Sequence, residues 1–375
     1  MLAVAVGWQV YALTRDPLAL GFLGLCEFLP FIILVLPGGH AADHAPRRAI
    51  ICGAYTGQIL CALALLLMSV DHVQRIWLIY LTLSVFGATR AFWGPAMQAT
   101  LPGLVSLDQF AGMVALNSML YQLASVAGPV IGGLLYLAGA PVVYCSCLLL
   151  YAAALVLMLM IRADTRPKAP PDAGSGRQFL DGLRFVRHNP LLLGVISLDL
   201  FAVLFGGSVA LLPIFASDIL HTGPVGLGLL RAAPGIGAAL TAAVLALRPL
   251  RDHAGRAMFG GVAAFGVSMI IFGLSRSMPL SIAALVLSGI GDMLSVNIRG
   301  ILVPLNTPDA LRGRVSAVNW MFIGASNELG EFESGVTARW FGTVRSVVLG
   351  GLMTLAVAAT WTWMFPSLRR LRHLR

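Results

Sequence analysis

Gly39-His40-Ala41-Ala42-Asp43-His44-Ala45-Pro46-Arg47-Arg48 lies between two apolar runs, each long enough to cross a bilayer. A glycine, an aspartate four residues on and an arginine pair form a short turn between two transmembrane helices, with room for three fixed charges and for no domain. Outward from it, apolar runs of the roughly 20 residues a spanning helix needs fall near 19–38, 49–70, 76–98, 112–138, 141–161, 191–216, 224–247, 257–275, 279–303, 315–338 and 345–365. Met1–Leu13 has the character of the second half of one more. Hydrophobic residues make up 58% of the 375 and charged residues 11%, where a soluble domain carries about a quarter charged. The sequence therefore predicts an all-α, polytopic membrane protein of two six-helix bundles with the first helix truncated.

No basic start and no small-residue cleavage site precede Thr14-Arg15-Asp16-Pro17, so no cleavable signal peptide is expected. A first helix cut short implies either a misplaced start or a degenerate protein. The one long polar break, residues 162–190, divides the chain into an N-terminal bundle (1–161) and a C-terminal bundle (191–375). The break begins with a flexible Pro/Gly-rich linker, Thr165–Gly176. It continues with Phe179, Leu183 and Val186 on one helical face, which predicts a short amphipathic helix on the inner leaflet. Leu247–Arg256 in the second half is a weak echo of the Asp43 turn, as parallel repeats produce.

The formal charge of +9 does not point to nucleic acid. Assigning alternate loops to alternate sides, seventeen of the 25 Lys and Arg fall on the side of the Asp43 turn, the 162–190 segment and the C-terminus, and five on the other. Basic loops stay in the cytosol, so those three segments are predicted to be cytosolic and the chain multi-pass in a bacterial inner (plasma) membrane. The remaining three, Arg90, Arg231 and Arg299, are intramembrane. The five cysteines all lie in apolar runs, and Cys145-Ser146-Cys147 lacks the C-x-x-C spacing, so they are expected to pack as small hydrophobes. Most of the seven histidines fall in loops. No metal, no cofactor and no enzyme chemistry are indicated.

The Asp43 turn resembles the G-x-x-x-D-R-x-x-R-R signature that follows the second helix of major facilitator superfamily transporters, with His44 where that family usually has arginine. Ala127-Gly128-Pro129-Val130-Ile131-Gly132-Gly133 resembles the fifth-helix motif of the family's exporters; the family's two upstream glycines are here Ala115 and Ala124. Close packing of Gly128 and Gly132, with a kink at Pro129, is the plainer account of the same string. Arg90, in Gly87-Ala88-Thr89-Arg90, matches the arginine of the family's fourth-helix motif. Gly7–Thr14, Leu311–Ala317 and Ser326–Gly335 together resemble the subfamily that contains the enterobactin exporter and related drug and macrolide exporters.

In the fold this resemblance implies, helices 1, 4, 7 and 10 line a central cavity. That places Asp199 in helix 7 and Asp292 with Arg299 in helix 10, seven residues and about two turns apart on one face. Intramembrane charge is costly and marks an interior or a water-filled path. Asp199 and Asp292, with Arg90 and Arg299 as partners, are the first candidates for proton coupling. A network fastening the two bundles together is the competing account. Glu27 in helix 2 and Glu328 and Glu331 in helix 11, which share a face while Glu333 points away, are reserve candidates. Crowded carboxylates in low dielectric do not all ionise, which suits a proton carrier; equally, one of them balances Arg299 or Arg231. For the gate, Asp43 is expected against the start of helix 11, near Arg312 and Arg314, with Gly39, Arg47 and Arg48 completing the motif. A carboxylate there gains roughly 0.3–1 kcal/mol from the helix N-terminus.

The implied protein is a monomeric secondary transporter that exports a small organic molecule (siderophore, drug or metabolite) in exchange for protons. Its partners would be substrate, protons and the lipid bilayer. A non-transporting remnant and an importer of the same fold are the alternatives.

Overall fold

The computed structural model describes residues 1–71, 75–100, 104, 106–161, 175–248, 253–308 and 311–371, without the side chains of 107, 108, 110, 111 and 175–179. Their elements are α1 (Leu2–Thr14), α2 (Pro17–His44), α3 (Arg47–Val70), α4 (Ile76–Thr100), α5 (Leu107–Leu135), α6 (Ala140–Met160), α7 (Ser175–His188), α8 (Pro190–Gly206), α9 (Leu212–Ile214), α10 (Gly223–Leu247), α11 (Ala254–Leu274), α12 (Met278–Leu305), α13 (Arg312–Phe341), α14 (Thr343–Met364) and α15 (Pro366–Arg369). Among the described residues, ten helical runs have the length and apolarity of a membrane span. The expected span at 315–338 lies within the 30-residue α13. It falls outside those ten because Glu328, Glu331 and Glu333 interrupt it.

Local chemistry sets the start of two helices. Asp16 Oδ1 accepts a hydrogen bond from Leu18 N (3.0 Å) at the start of α2, and Asn189 Oδ1 accepts from Leu191 N (3.1 Å) and Leu192 N (3.3 Å) at the start of α8. Each acceptor satisfies an N–H that the helix itself leaves free, and the following Pro17 or Pro190 has none to lose. At the other end of α2 the expected turn is shorter than the sequence suggested. The helix runs on through His44, and only Ala45 and Pro46 reverse the chain. Nothing in His40–His44 breaks a helix, whereas Pro46 forces extended backbone on the residue before it.

Two further expectations are corrected. The run expected as one helix over 191–216 is broken after Gly206 and continues as a 3-10 turn (Val209–Leu211), α9 and a π turn (Phe215–Ile219). Ser334 Oγ donates to the Gly207 carbonyl freed by the break, so that polar group is satisfied inside the protein. The amphipathic helix α7 forms as expected, but Leu183 and Val186 of its apolar face pack against the second bundle rather than facing a leaflet, and the side chain of Phe179 lies outside the described residues. Val186 and Leu183 pack with Leu192, Ile196, Val303, Val315 and Val318. Gly182 lets α7 settle on α13: a Cβ there would stand 2.7 Å from the Arg314 carbonyl oxygen. Residues 162–174, and 249–252 of the second-half turn, lie outside the described residues.

The two bundles meet through α2 against α13 and α5 against α10. Near Asp16 the contacts are glycine-close. Gly21 faces Gly335, Gly24 faces Glu331, and Gly133 faces Gly228, where a Cβ on Gly228 would stand 2.6 Å from the Pro129 carbonyl oxygen. Small residues at such crossings let backbones approach. Phe22 and Phe332 pack across the same seam with ring centroids 5.4 Å apart. Toward Asp43 the helices diverge. Beyond Phe31 and Gly324, 3.7 Å apart on the same Cβ measure, Gly39 faces open space, Trp320 is 62% exposed and, on α10, Leu247 is 85% exposed. The molecule is thus closed at the Asp16 end and spread at the Asp43 end.

Candidate functional site

Between the bundles lies a cavity of about 680 Å³, within the range of about 300–1,000 Å³ usual for small-molecule sites. Its walls are largely apolar and aromatic, with Leu23, Phe86, Leu150, Tyr55, Tyr151 and Trp93 among them. Into this surface project three carboxylates and two guanidiniums: Glu27, Glu328, Glu331, Arg90 and Arg231.

The close crossing of α2 and α4 places the first pair. A Cβ on Gly87 would collide with the Glu27 carbonyl oxygen, so glycine there brings the two backbones together. One turn on, Arg90 Nη1 donates to Glu27 Oε1. The same Nη1 stands 3.9 Å from Glu328 Oε1 on α13, across the cleft, and the guanidinium lies 6.0 Å from the centre of the Phe31 ring. Arg90 therefore answers one acid in its own bundle and one in the other. Among the described residues, Arg231, on α10, donates to the Ala3 carbonyl oxygen alone, at 3.4 Å. It acts on Glu328 and Glu331 through space, and Arg299 is not among the groups facing them.

The first-choice acids are elsewhere. Asp199 and Arg299 are each 4% exposed and pair with one another inside the second bundle. Asp292 is half-buried and lies within electrostatic reach of both. None of the three lines the cavity. This pair joins α8 to α12, within one bundle, so it does not fasten the two bundles together.

The expectation that Asp43 meets Arg312 and Arg314 fails in this state, because the helices have diverged at that end. Asp43 is exposed, with no ion pair to a described residue. Arg314 Nη1 donates instead to Asp181 Oδ2 on α7, at 3.2 Å; Arg312 opens α13. Arg47 and Arg48 serve helix ends. Arg47 donates to the Ala42 and Ala99 carbonyl oxygens (3.1 and 2.7 Å) and Arg48 to that of Leu159. These carbonyls belong to the last turns of α2, α4 and α6, where no intrahelical donor remains and where a cation is favoured. His44 Nδ1 stands 2.8 Å from the His40 carbonyl oxygen. The fifth-helix glycines split between two neighbours: Gly128 and Gly132 face Met1, and Gly133 faces α10.

A feature the sequence reading missed closes the Asp16 end. Arg15 Nη1 donates to Asp218 Oδ1 at 2.9 Å, Tyr11 donates to the other oxygen of the same carboxylate, and Arg339 donates to Asp16. Each bundle thus supplies one arginine and one acid to the other. The only signal available was the charged cluster Arg15-Asp16 beside a short helix, whose partners lie some two to three hundred residues away.

Residues 1–371 match the profile of a family described as transmembrane secretion effector. An uncharacterized MFS-type transporter of Bacillus subtilis, YfiS, is 26% identical over 363 residues, covering 92% of this chain and 84% of the relative. The enterobactin exporter EntS of Citrobacter koseri is 23% identical over 375 residues, covering 100% of this chain and 89% of the relative. Among solved structures, the nucleoside transporter NupG superposes with a TM-score of 0.72 at 14% identity, over 97% of this chain and 96% of that one. At that identity the likeness speaks for the fold alone.

Proposed function

The chain belongs to the transmembrane secretion effector family of major facilitator superfamily transporters, and from that premise we propose that it exports a small organic molecule across the bacterial inner membrane in exchange for protons. One observation carries the reading: a cavity walled by both bundles, sealed at the Asp16 end and holding more carboxylates than guanidiniums. The bias of basic loops toward the Asp43 end makes that end cytosolic, and the C-terminus with it. A cavity sealed from outside and approached from the cytosol is where an exporter loads its cargo and an importer releases it, and one chain encloses it. The relative EntS, named as an exporter, supports the outward direction.

The proton follows from the side-chain inventory. Guanidiniums stay charged, so two of them balance two carboxylates and leave a third, which is held more cheaply neutral in a dry site. Glu328 is placed to link that proton to movement, because Arg90 reaches it across the cleft. Opposite charges about 4 Å apart interact by about 1 kcal/mol in water and about 4 kcal/mol in a partly desolvated site. With the Arg90 side chain 45% exposed, the lower part of that span applies. One to two kcal/mol changes a two-state population by roughly 5- to 30-fold, enough for protonation of Glu328 to loosen one bundle from the other. Transport needs no covalent chemistry.

Everted membrane vesicles test this. Respiration acidifies their interior, and a quenched pH dye reports when a compound entering by antiport lets protons out. A panel of small organic ions should contain compounds that restore fluorescence in vesicles holding the protein and not in vesicles holding Glu328→Gln. Movement of such compounds into the vesicles with no proton efflux would refute antiport; accumulation in the opposite direction would refute export.

A further inference from the structure

Resting on that transport reading, we infer that the cavity is built for an amphoteric substrate, one that carries an ammonium group and a carboxylate on a partly aromatic body. The observation is a pair of opposite charges that face the same space without meeting. Arg90 already has Glu27. Arg231 has a single backbone oxygen at 3.4 Å, and neither Arg231 nor Glu331 has an ion-pair partner among the described residues. Yet both line the cavity and act on each other through space.

Opposite charges that face each other across a desolvated wall without direct contact are only partly compensated, and that is costly. A molecule with an anionic group for Arg231 and an ammonium for Glu331 relieves both charges at once. A cation alone leaves Arg231 unanswered and is repelled by it; an anion alone leaves Glu331. Antiport narrows the choice further. An ammonium on Glu331 adds positive charge beside Glu328 and favours its ionised form, so substrate loading expels the proton, which is the exchange an antiporter needs. An anion alone on Arg231 would instead favour a proton staying on Glu328, and the two would travel together.

Three fluorescent probes with one shared body separate these cases: Nε-dansyl-lysine (ammonium and carboxylate), dansylcadaverine (ammonium alone) and dansyl-aminohexanoate (carboxylate alone). Each is titrated at neutral pH against the purified full-length protein, and the rise in dansyl emission gives a Kd. Dansyl-lysine should bind at least tenfold tighter than either of the others. Arg231→Gln should bring it to the level of dansylcadaverine, whose own binding is retained or tightened because the repelling charge is gone, which also shows that the variant is folded. Glu331→Gln should weaken it to the level of dansyl-aminohexanoate, whose own binding persists. Equal affinities, a singly charged probe binding tightest, no saturable binding of any probe, or a preference untouched by both substitutions would each overturn the inference. The vesicle assay keeps the two conclusions apart. Proton-linked movement of a singly charged probe without the dansyl-lysine preference removes the inference and leaves antiport standing. The preference without proton-linked movement of any probe does the reverse.

Discussion

Two clusters of charge sit within the membrane-spanning part of this chain, and they are held in opposite ways. Asp199 and Arg299 are nearly inaccessible, face each other inside one bundle and stay off the cavity. Arg90 is partly open, holds Glu27 in its own bundle and reaches Glu328 in the other. A buried pair whose partners move together keeps its geometry through a bundle rotation. A pair that spans the cleft is made and broken by that rotation. Charge inside a membrane protein is therefore read as structural or as functional by whether its partner rides on the same body.

The largest effect should come from breaking the enclosed pair. Asp199→Ala leaves Arg299 buried and uncompensated, a loss of about 3–5 kcal/mol, read as a collapse in the yield of monodisperse protein after extraction. Replacing both partners, Asp199→Leu with Arg299→Met, should recover much of that yield, because apolar residues of similar volume can substitute for a buried pair. Recovery of yield with loss of proton coupling would show the pair to be functional after all.

Next in size is a wedge at the closed end. Gly228→Leu forces a side chain against the Pro129 carbonyl, an overpacking of about 1–3 kcal/mol that falls on the closed state alone. A cysteine at Leu23, in a background without the native cysteines, should then be labelled from outside the cell by an impermeant reagent, where the unwedged protein protects it. Smaller still is the outer latch. Asp16→Asn keeps an acceptor for Leu18 N, since asparagine caps as well as aspartate, and removes only the charge facing Arg339. An exposed pair contributes about 0–1 kcal/mol, so labelling of the same Leu23→Cys site should rise by no more than several-fold. Smallest is Asp43→Asn. The residue is exposed and has no ion pair to a described residue, so thermal unfolding should stay within about 0.5 kcal/mol of the parent protein, while efflux slows if Asp43 finds the start of α13 when the cytosolic end closes.

Length and apolarity made the spans legible, because a bilayer allows few other solutions, and the helix over Ser175–His188 was legible from its periodicity. Pairing was not. Arg90 was recognisable as a charge that needs a partner, but nothing local says that Glu27 and Glu328, 63 and 238 positions away, supply it. Asp199 and Asp292 were favoured because their helices line the cavity in the fold; a helix has several faces, and packing, not position in the chain, chose theirs. Arg231 counted only as an intramembrane charge and as one of two possible balances for the glutamates. The break after Gly206 was hidden because the run around it stays apolar, and hydropathy does not see a carbonyl turned aside to meet Ser334.

The most direct test compares two transport modes in proteoliposomes for one carried compound. Exchange of labelled for unlabelled compound, with no pH gradient, needs only the bundles to rock with cargo bound. Uphill movement driven by an imposed pH gradient also needs the proton to be carried. Glu328→Gln should retain exchange and lose uphill transport, because it removes the acid that Arg90 reaches across the cleft. Uphill transport at the parent rate in Glu328→Gln, and again in the Glu328→Gln and Glu331→Gln double variant, would contradict the account and return the proton to Asp199 and Asp292.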